Sequence, residues 1–159
     1  MLQLLIKIIK SIFGIVNADK NKEEEKTMRP TQDEYYEKNV GKKVRDGQCV
    51  ALARDYSEVC YGIPHTGSVP GAIDIWKTRN TNPNIKRYFD IVEGRPEKGD
   101  LVFFNASNTN QWGHVAIVRE DRGNGFNVFE SDGFNPNAGS RPGFWDWTRY
   151  AGALRPKMQ

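Results

Sequence analysis

Hydrophobic and polar positions divide the chain into three zones. In the first, apolar side chains hold positions 2, 4, 5, 6, 8, 9, 12, 13, 15 and 16, while Gln3, Lys7, Lys10, Gly14 and Asn17 recur every three or four residues. That spacing predicts an amphipathic helix with a wide apolar face and a narrow polar stripe. Three readings of it stay open. It can be a secretory signal, with small residues at Val16-Asn17-Ala18 before a cut. It can lie on a membrane surface through residues 1–17, with its lysines snorkelling. It can also pack on its own domain. A spanning helix needs about 20 apolar residues, more than this zone offers. Residues 1–18 are therefore read as an N-terminal helix or signal segment. Residues 19–29, with Lys22-Glu23-Glu24-Glu25-Lys26 at their middle, are read as a charged linker. A compact domain is expected over 30–159.

Within that domain, period 3.6 comes first. Thr31 and Glu34 have the form of a capping box, which predicts a short helix from about 32 to 39 ended by Gly41. Cys49, Leu52, Ala53, Tyr56 and Cys60 fall on one helical face, with Arg54, Asp55 and Glu58 opposite. Asp46 is placed to cap this helix and Gly47 to let the chain enter steeply, while Gly62 and Pro64 stop it after Tyr61. Ala72 to Thr78 reads as another short helix, and Asn80 to Asn84 as a turn.

The pattern then changes to period two and to short apolar runs. Strands are expected at Tyr88–Val92, Leu101–Asn105, Trp112–Arg119 and Phe126–Ser131, with a hairpin over 121–125. Residues 132–143 read as a long loop, and Phe144–Leu154 as ending in an edge strand. Helices first and antiparallel strands after them predict an α+β fold.

At 159 residues, with 38% hydrophobic and 27% charged positions, the chain suits one globular domain. A net charge of +3 is too small to argue for nucleic acid, though it suits an anionic surface such as a bacterial wall. A monomer is expected. The two cysteines cannot bridge within one helix. Eleven residues separate them by about 16 Å at 1.5 Å each, and a disulfide needs Cα atoms within about 7 Å. Both are expected as thiols, Cys60 as packing.

Cys49 changes the picture. At a helix start it meets unpaired N–H groups and the positive end of the helix dipole, which favour thiolate; it can equally be a small buried apolar residue. His114, in an apolar strand, can be a satisfied core histidine or the base such a thiol needs. Glu130 ends the next strand, where a hairpin brings it to the imidazole as an orienting carboxylate; Asp132 follows two residues on. Gln48 can donate to an oxyanion together with the Cys49 N–H. Trp112, Trp145 and Trp147 are candidate cleft aromatics, or equally core and rim. His65, in an exposed loop, is expected to do nothing.

Four stretches then carry a resemblance. Gly47-Gln48-Cys49-Val50-Ala51-Leu52-Ala53, Gly99-Asp100-Leu101-Val102-Phe103-Phe104, Trp112-Gly113-His114-Val115-Ala116-Ile117-Val118 and Val128-Phe129-Glu130-Ser131-Asp132 resemble, in order, the motifs of the CHAP family. These are cysteine, histidine-dependent amidohydrolases and peptidases, papain-like in fold, found in phage endolysins and bacterial wall hydrolases. The likeness spans about residues 32 to 156, and makes 30–159 a CHAP-like catalytic domain. It implies Cys49 as nucleophile, His114 as base and Glu130 as orienting group. Where the family often has asparagine, this chain has Asp132. Where some phage members carry an acidic calcium loop, it has Gly41-Lys42-Lys43-Val44-Arg45, so neither calcium nor any other metal or cofactor is expected.

The function so implied is hydrolysis of amide bonds in peptidoglycan, by an N-acetylmuramoyl-L-alanine amidase or a cross-bridge or stem endopeptidase. The protein would be a phage lysis protein or an exported bacterial hydrolase, acting at the wall without nucleic acid. The main rival is a silent wall-binding or virion structural protein of the same fold. A metal hydrolase using Cys49, Cys60, His65 and His114 lacks any zinc-type spacing. A membrane-active N-terminal peptide fused to a passive domain is a further alternative.

Overall fold

The computed structural model describes residues 28–65 and 67–159. The expectations for residues 1–18, and for the linker up to residue 27, lie outside the described residues. Among the described residues no helix is long and apolar enough to cross a membrane.

Among the described residues four helices precede six strands: α1 Gln32–Asn39, α2 Cys49–Tyr61, α3 Ala72–Lys77, α4 Pro83–Tyr88, then β1 Phe89–Val92, β2 Leu101–Phe104, β3 His114–Asp121, β4 Gly125–Ser131, β5 Ser140–Asp146 and β6 Tyr150–Pro156. The expected α+β class holds. The capping box forms as read: the Glu34 N–H donates to Thr31 Oγ1 at 3.3 Å, and the Thr31 N–H to Glu34 Oε2 at 2.7 Å. α2 also has the expected bounds. Gly62 adopts the left-handed conformation (φ 71°), and the N–H groups of Gly62 and Ile63 close back on Glu58 and Ser57 carbonyls.

The strands form one antiparallel sheet in the order β1-β6-β2-β3-β4-β5. Both its faces are covered. On one, Leu52, Ala53, Tyr56 and Cys60 of α2 pack on Phe103, Val115, Ile117, Phe129 and Leu154. On the other, Val102, Phe104, Ala116, Val118, Phe126 and Val128 form a second cluster, roofed by Trp145, Trp147 and Tyr150. Burial on both faces explains why β2 reads as a continuous apolar run and why both alternating faces of β3 are buried from His114 to Val118.

Four expectations need correction. α4 occupies part of a stretch read as turn and strand. Asn82 caps it, its Oδ1 accepting from the Asn84 N–H at 2.9 Å, and Pro83 opens it. The loop read as 132–143 ends earlier, because β5 begins at Ser140; its Arg141-Pro142-Gly143 looks like a turn, yet an edge strand tolerates proline. β6 is not an edge strand but lies between β1 and β2. Its small residues are the reason: a Cβ at Gly152 would sit 2.0 Å from the Trp76 ring, so only glycine lets α3 close on this strand. Finally, Trp112 stands outside β3, which starts at His114 after Gly113 turns at φ 66°.

Candidate active site at the end of the sheet

Cys49 opens α2 and His114 opens β3, so the two meet where the helix start crosses the end of the sheet. Gly47 makes the approach possible. Its φ of 86° disfavours a side chain, and a Cβ there would lie 2.1 Å from the Pro136 carbonyl oxygen. Asp46 does not cap the helix as expected. Its Oδ1 accepts from the Gln48 N–H at 2.8 Å, before the first helical residue, and Gln48 occupies the cap position without a side-chain bond to the helix. The first helical N–H groups are thereby left for other acceptors. The N–H groups of Val50 and, from β3, of Val115 favour the charged form of the Cys49 sulfur.

Burial alone would raise the Cys49 pKa, but the hydrogen bond and charge of His114, helped by those two N–H groups, hold it below the ordinary thiol value. The opposite shift falls on His114. Burial opposes its charge, yet Cys49 and Glu130 together raise its pKa to about 9. Cys60 is a control within the same helix: burial, with Asp55 and Glu34 nearby, pushes that thiol up to about 12. Both cysteines are free. The site can therefore hold a thiolate–imidazolium pair, while Cys60 stays a thiol.

Glu130 reaches the other side of the imidazole. Its Oε2 lies 2.7 Å from His114 Nε2, which leaves Nδ1 for the cysteine. The same oxygen accepts from Trp145 Nε1 at 2.7 Å, and Arg141 Nε approaches Oε1 at 3.7 Å. Burial works against the carboxylate, but His114, Trp145 and Arg141 outweigh it and depress its pKa. The Trp145 indole also stacks on His114, centroids 4.9 Å apart, and on Phe104 at 4.6 Å. Gly143, in β5 opposite, admits the carboxylate: a Cβ there would sit 2.5 Å from Glu130 Oε1.

A cleft of about 810 Å³ opens over this group. Gln48, Cys49, His114, Glu130 and Asp132 line it, with Trp112 and Trp145. Gln48 Nε2 donates to the Gly133 carbonyl at 3.2 Å and keeps a second N–H. Asp132 does not bond His114; it accepts from the Phe134 N–H at 3.0 Å and pairs with Arg141 at 3.2 Å, holding the loop after β4. Trp147 stands apart from the cleft. Its Nε1 donates to Gly123 O at 3.0 Å and its ring packs on Phe126 and Tyr150 beyond the hairpin. Trp145 lines the cleft, and its bond to Glu130 has no signal in the sequence; only pairing of β5 with β4 reveals it. Arg141 was missed for the same reason, since it sat in a stretch read as loop.

The CHAP domain model matches residues 39–133, more than half of the chain, and the chain belongs to that family. Solved structures show the same fold. The structure called "The crystal structure of Ly7917" superposes with a TM-score of 0.58 at 18% identity, over 77% of this chain and 60% of that one. The wild-type endolysin LysIME-EF1 gives 0.58 at 20% identity, over 79% and 62%. A second Ly7917 structure, "with the hydrolyzing product of MDP", gives 0.57 at 19%, over 77% and 60%. The chain thus spans less than two thirds of these relatives. No curated protein matches it.

Proposed function

We propose that this protein is a peptidoglycan hydrolase that cuts amide bonds with Cys49 as nucleophile, His114 as base and then acid, and Glu130 as the group that orients the imidazole. The observation that carries the reading is the imidazole between two partners: Nε2 lies 2.7 Å from a buried carboxylate, and the ring's interaction with Cys49 lowers the pKa of that thiol. CHAP membership and the likeness to an endolysin support the choice of wall as substrate.

The chemistry follows from the geometry. The Cys49 thiolate attacks the carbonyl carbon while the proton stays on His114. The developing oxyanion meets the unbonded N–H of Gln48 Nε2 and the Cys49 backbone N–H at the helix start. His114 Nδ1 then protonates the leaving amine, and a thioester remains. Water, giving its proton back to the imidazole, releases the acid and restores the thiolate. Glu130 keeps Nε2–H bound throughout, so the ring cannot turn away. A muramoyl–alanine amide and a stem or cross-bridge peptide bond are both open to this sequence of steps. Asp132 acts on the loop, not on the imidazole. No step calls for a metal. The protein would act as a monomer at the cell wall, either as a phage lysis protein or as an exported hydrolase.

Replacing Cys49→Ala tests the reading. Lysis of purified walls should fall below detection with the far-UV circular dichroism unchanged; alkylation of the native protein should abolish lysis and a chelator should not. Lysis that survives C49A removes the nucleophile. Mass analysis of the fragments released by the native protein separates amidase from endopeptidase.

A further inference from the structure

Four arginines line the cleft among the described residues, and they are not alike. Arg45 is paired with Asp55 at 2.8 Å and with Glu58. Arg141 is paired with Asp132 at 3.2 Å. Arg149 spends its Nε and Nη2 on the Asn105 carbonyl. Arg54 has no carboxylate in contact among the described residues; its Nη1 lies 3.1 Å from His65 Nε2. A guanidinium has no acceptor, so Arg54 is the donor in this contact.

The position is informative. Val50, Ala51 and Arg54 form one stripe of α2 that leads along the cleft wall away from Cys49. Arg54 is half buried, its stem against an apolar lining that includes Ile63, Val69 and Ile75. Burial disfavours its charge, with Asp46 the acid whose field offsets this and Arg45 adding repulsion. A half-buried cation beside a cleft, with an imidazole and no carboxylate in contact among the described residues, is prepared for an anion.

We propose that Arg54 forms a carboxylate-binding subsite, taking a free carboxylate of the peptide about two residues from the amide that is cut. The spacing comes from five helical residues, about 7.5 Å at 1.5 Å each, against about 3.3 Å per residue for an extended peptide. The inference rests on the hydrolase reading and adds its specificity: stem peptides with that carboxylate free are preferred over those with it amidated.

Two synthetic stem peptides, identical except that this carboxylate is free in one and amidated in the other, test it. For the native protein KM should be about tenfold lower on the acid. R54Q should erase that difference by raising KM on the acid alone, with kcat within about twofold; R54K should keep part of it. Binding of both peptides to C49A and to C49A/R54Q, by calorimetric titration, provides a readout without turnover. Preference for the acid in C49A, lost in the double variant, upholds the subsite even if neither peptide is cut, in which case it is the hydrolase reading that falls. Equal cleavage and equal binding of acid and amide overturn the subsite and leave the hydrolase standing. Equal weakening of both peptides by R54Q, with a lowered melting temperature, overturns it as well and makes Arg54 a structural residue.

Discussion

Two carboxylates are buried in this sheet, and they are handled differently. Asp100, at the entry to β2, is 1% exposed; Glu130, in β4, is 7% exposed. Asp100 takes two parallel bonds from Arg155, Nε at 2.8 Å and Nη2 at 2.9 Å, and a third from the Glu97 N–H at 2.8 Å. None of these donors changes protonation near neutral pH, so the charge is simply neutralised and held. Glu130 instead puts one oxygen against an imidazole and an indole, and leaves Arg141 at 3.7 Å from the other. Its main partner can gain and lose a proton. A fixed donor set makes a buried acid into a staple; a titratable donor makes it into part of a reaction.

Exchanging each acid for its amide should separate these roles. Glu130→Gln is the larger effect on turnover, since it leaves the imidazole without its charged partner: kcat should fall by roughly 100-fold, with the folded state retained by circular dichroism. Its pH profile should shift as well. Below the depressed Cys49 pKa the thiolate is protonated and activity falls; above about 9 the imidazolium is lost and activity falls again. Removing the Glu130 charge removes one of the two interactions that raise His114, so the upper limb must move to lower pH. An unmoved upper limb would contradict the pairing.

Asp100→Asn should do the reverse. It leaves Arg155 partly paired with Glu97 at 3.2 Å but breaks the bidentate bond, at a cost of about 3 kcal/mol of stability. The fraction still folded should retain its kcat. A loss of turnover without a loss of melting temperature would mean that Asp100 belongs to the chemistry after all.

The same contrast decides what could be read from the sequence. α1 and α2 were legible to the residue, because a capping box, a glycine stop and a 3.6 period are local signals. Cys49, His114 and Glu130 were singled out as candidates because residue types and ordered motifs pointed to them. β5 was not legible: its proline and glycine look like a loop, and its strand identity exists only through pairing with β4. The contacts that β5 makes on Glu130, from Trp145, Arg141 and Gly143, disappeared with it. Trp147 was grouped with Trp145 because they are two residues apart, but the chain leaves β5 at Asp146 for a short 3-10 turn before β6, so they face different surroundings. Gly152 likewise gave no hint of an inner strand, because what requires it is a tryptophan 76 residues earlier.

The smallest change sharpens the comparison most finely. Trp145→Phe keeps an aromatic ring to stack on His114 and Phe104 while deleting the Nε1–H that reaches Glu130 Oε2 at 2.7 Å. If the indole only fills space, the variant should behave as the native protein after a small loss of packing. If it holds the carboxylate in line, Glu130 loses one of the donors that depress its pKa and is free to pivot toward Arg141. The expected outcome is a kcat reduced roughly three- to tenfold with KM little changed, and about 1 kcal/mol of stability lost with the bond. The same substitution in the Glu130→Gln background discriminates further. There the charged acceptor is already gone, so the two effects should be far from additive. Strict additivity would show that Trp145 acts on the imidazole by stacking alone, and that Glu130 is held by His114 without help.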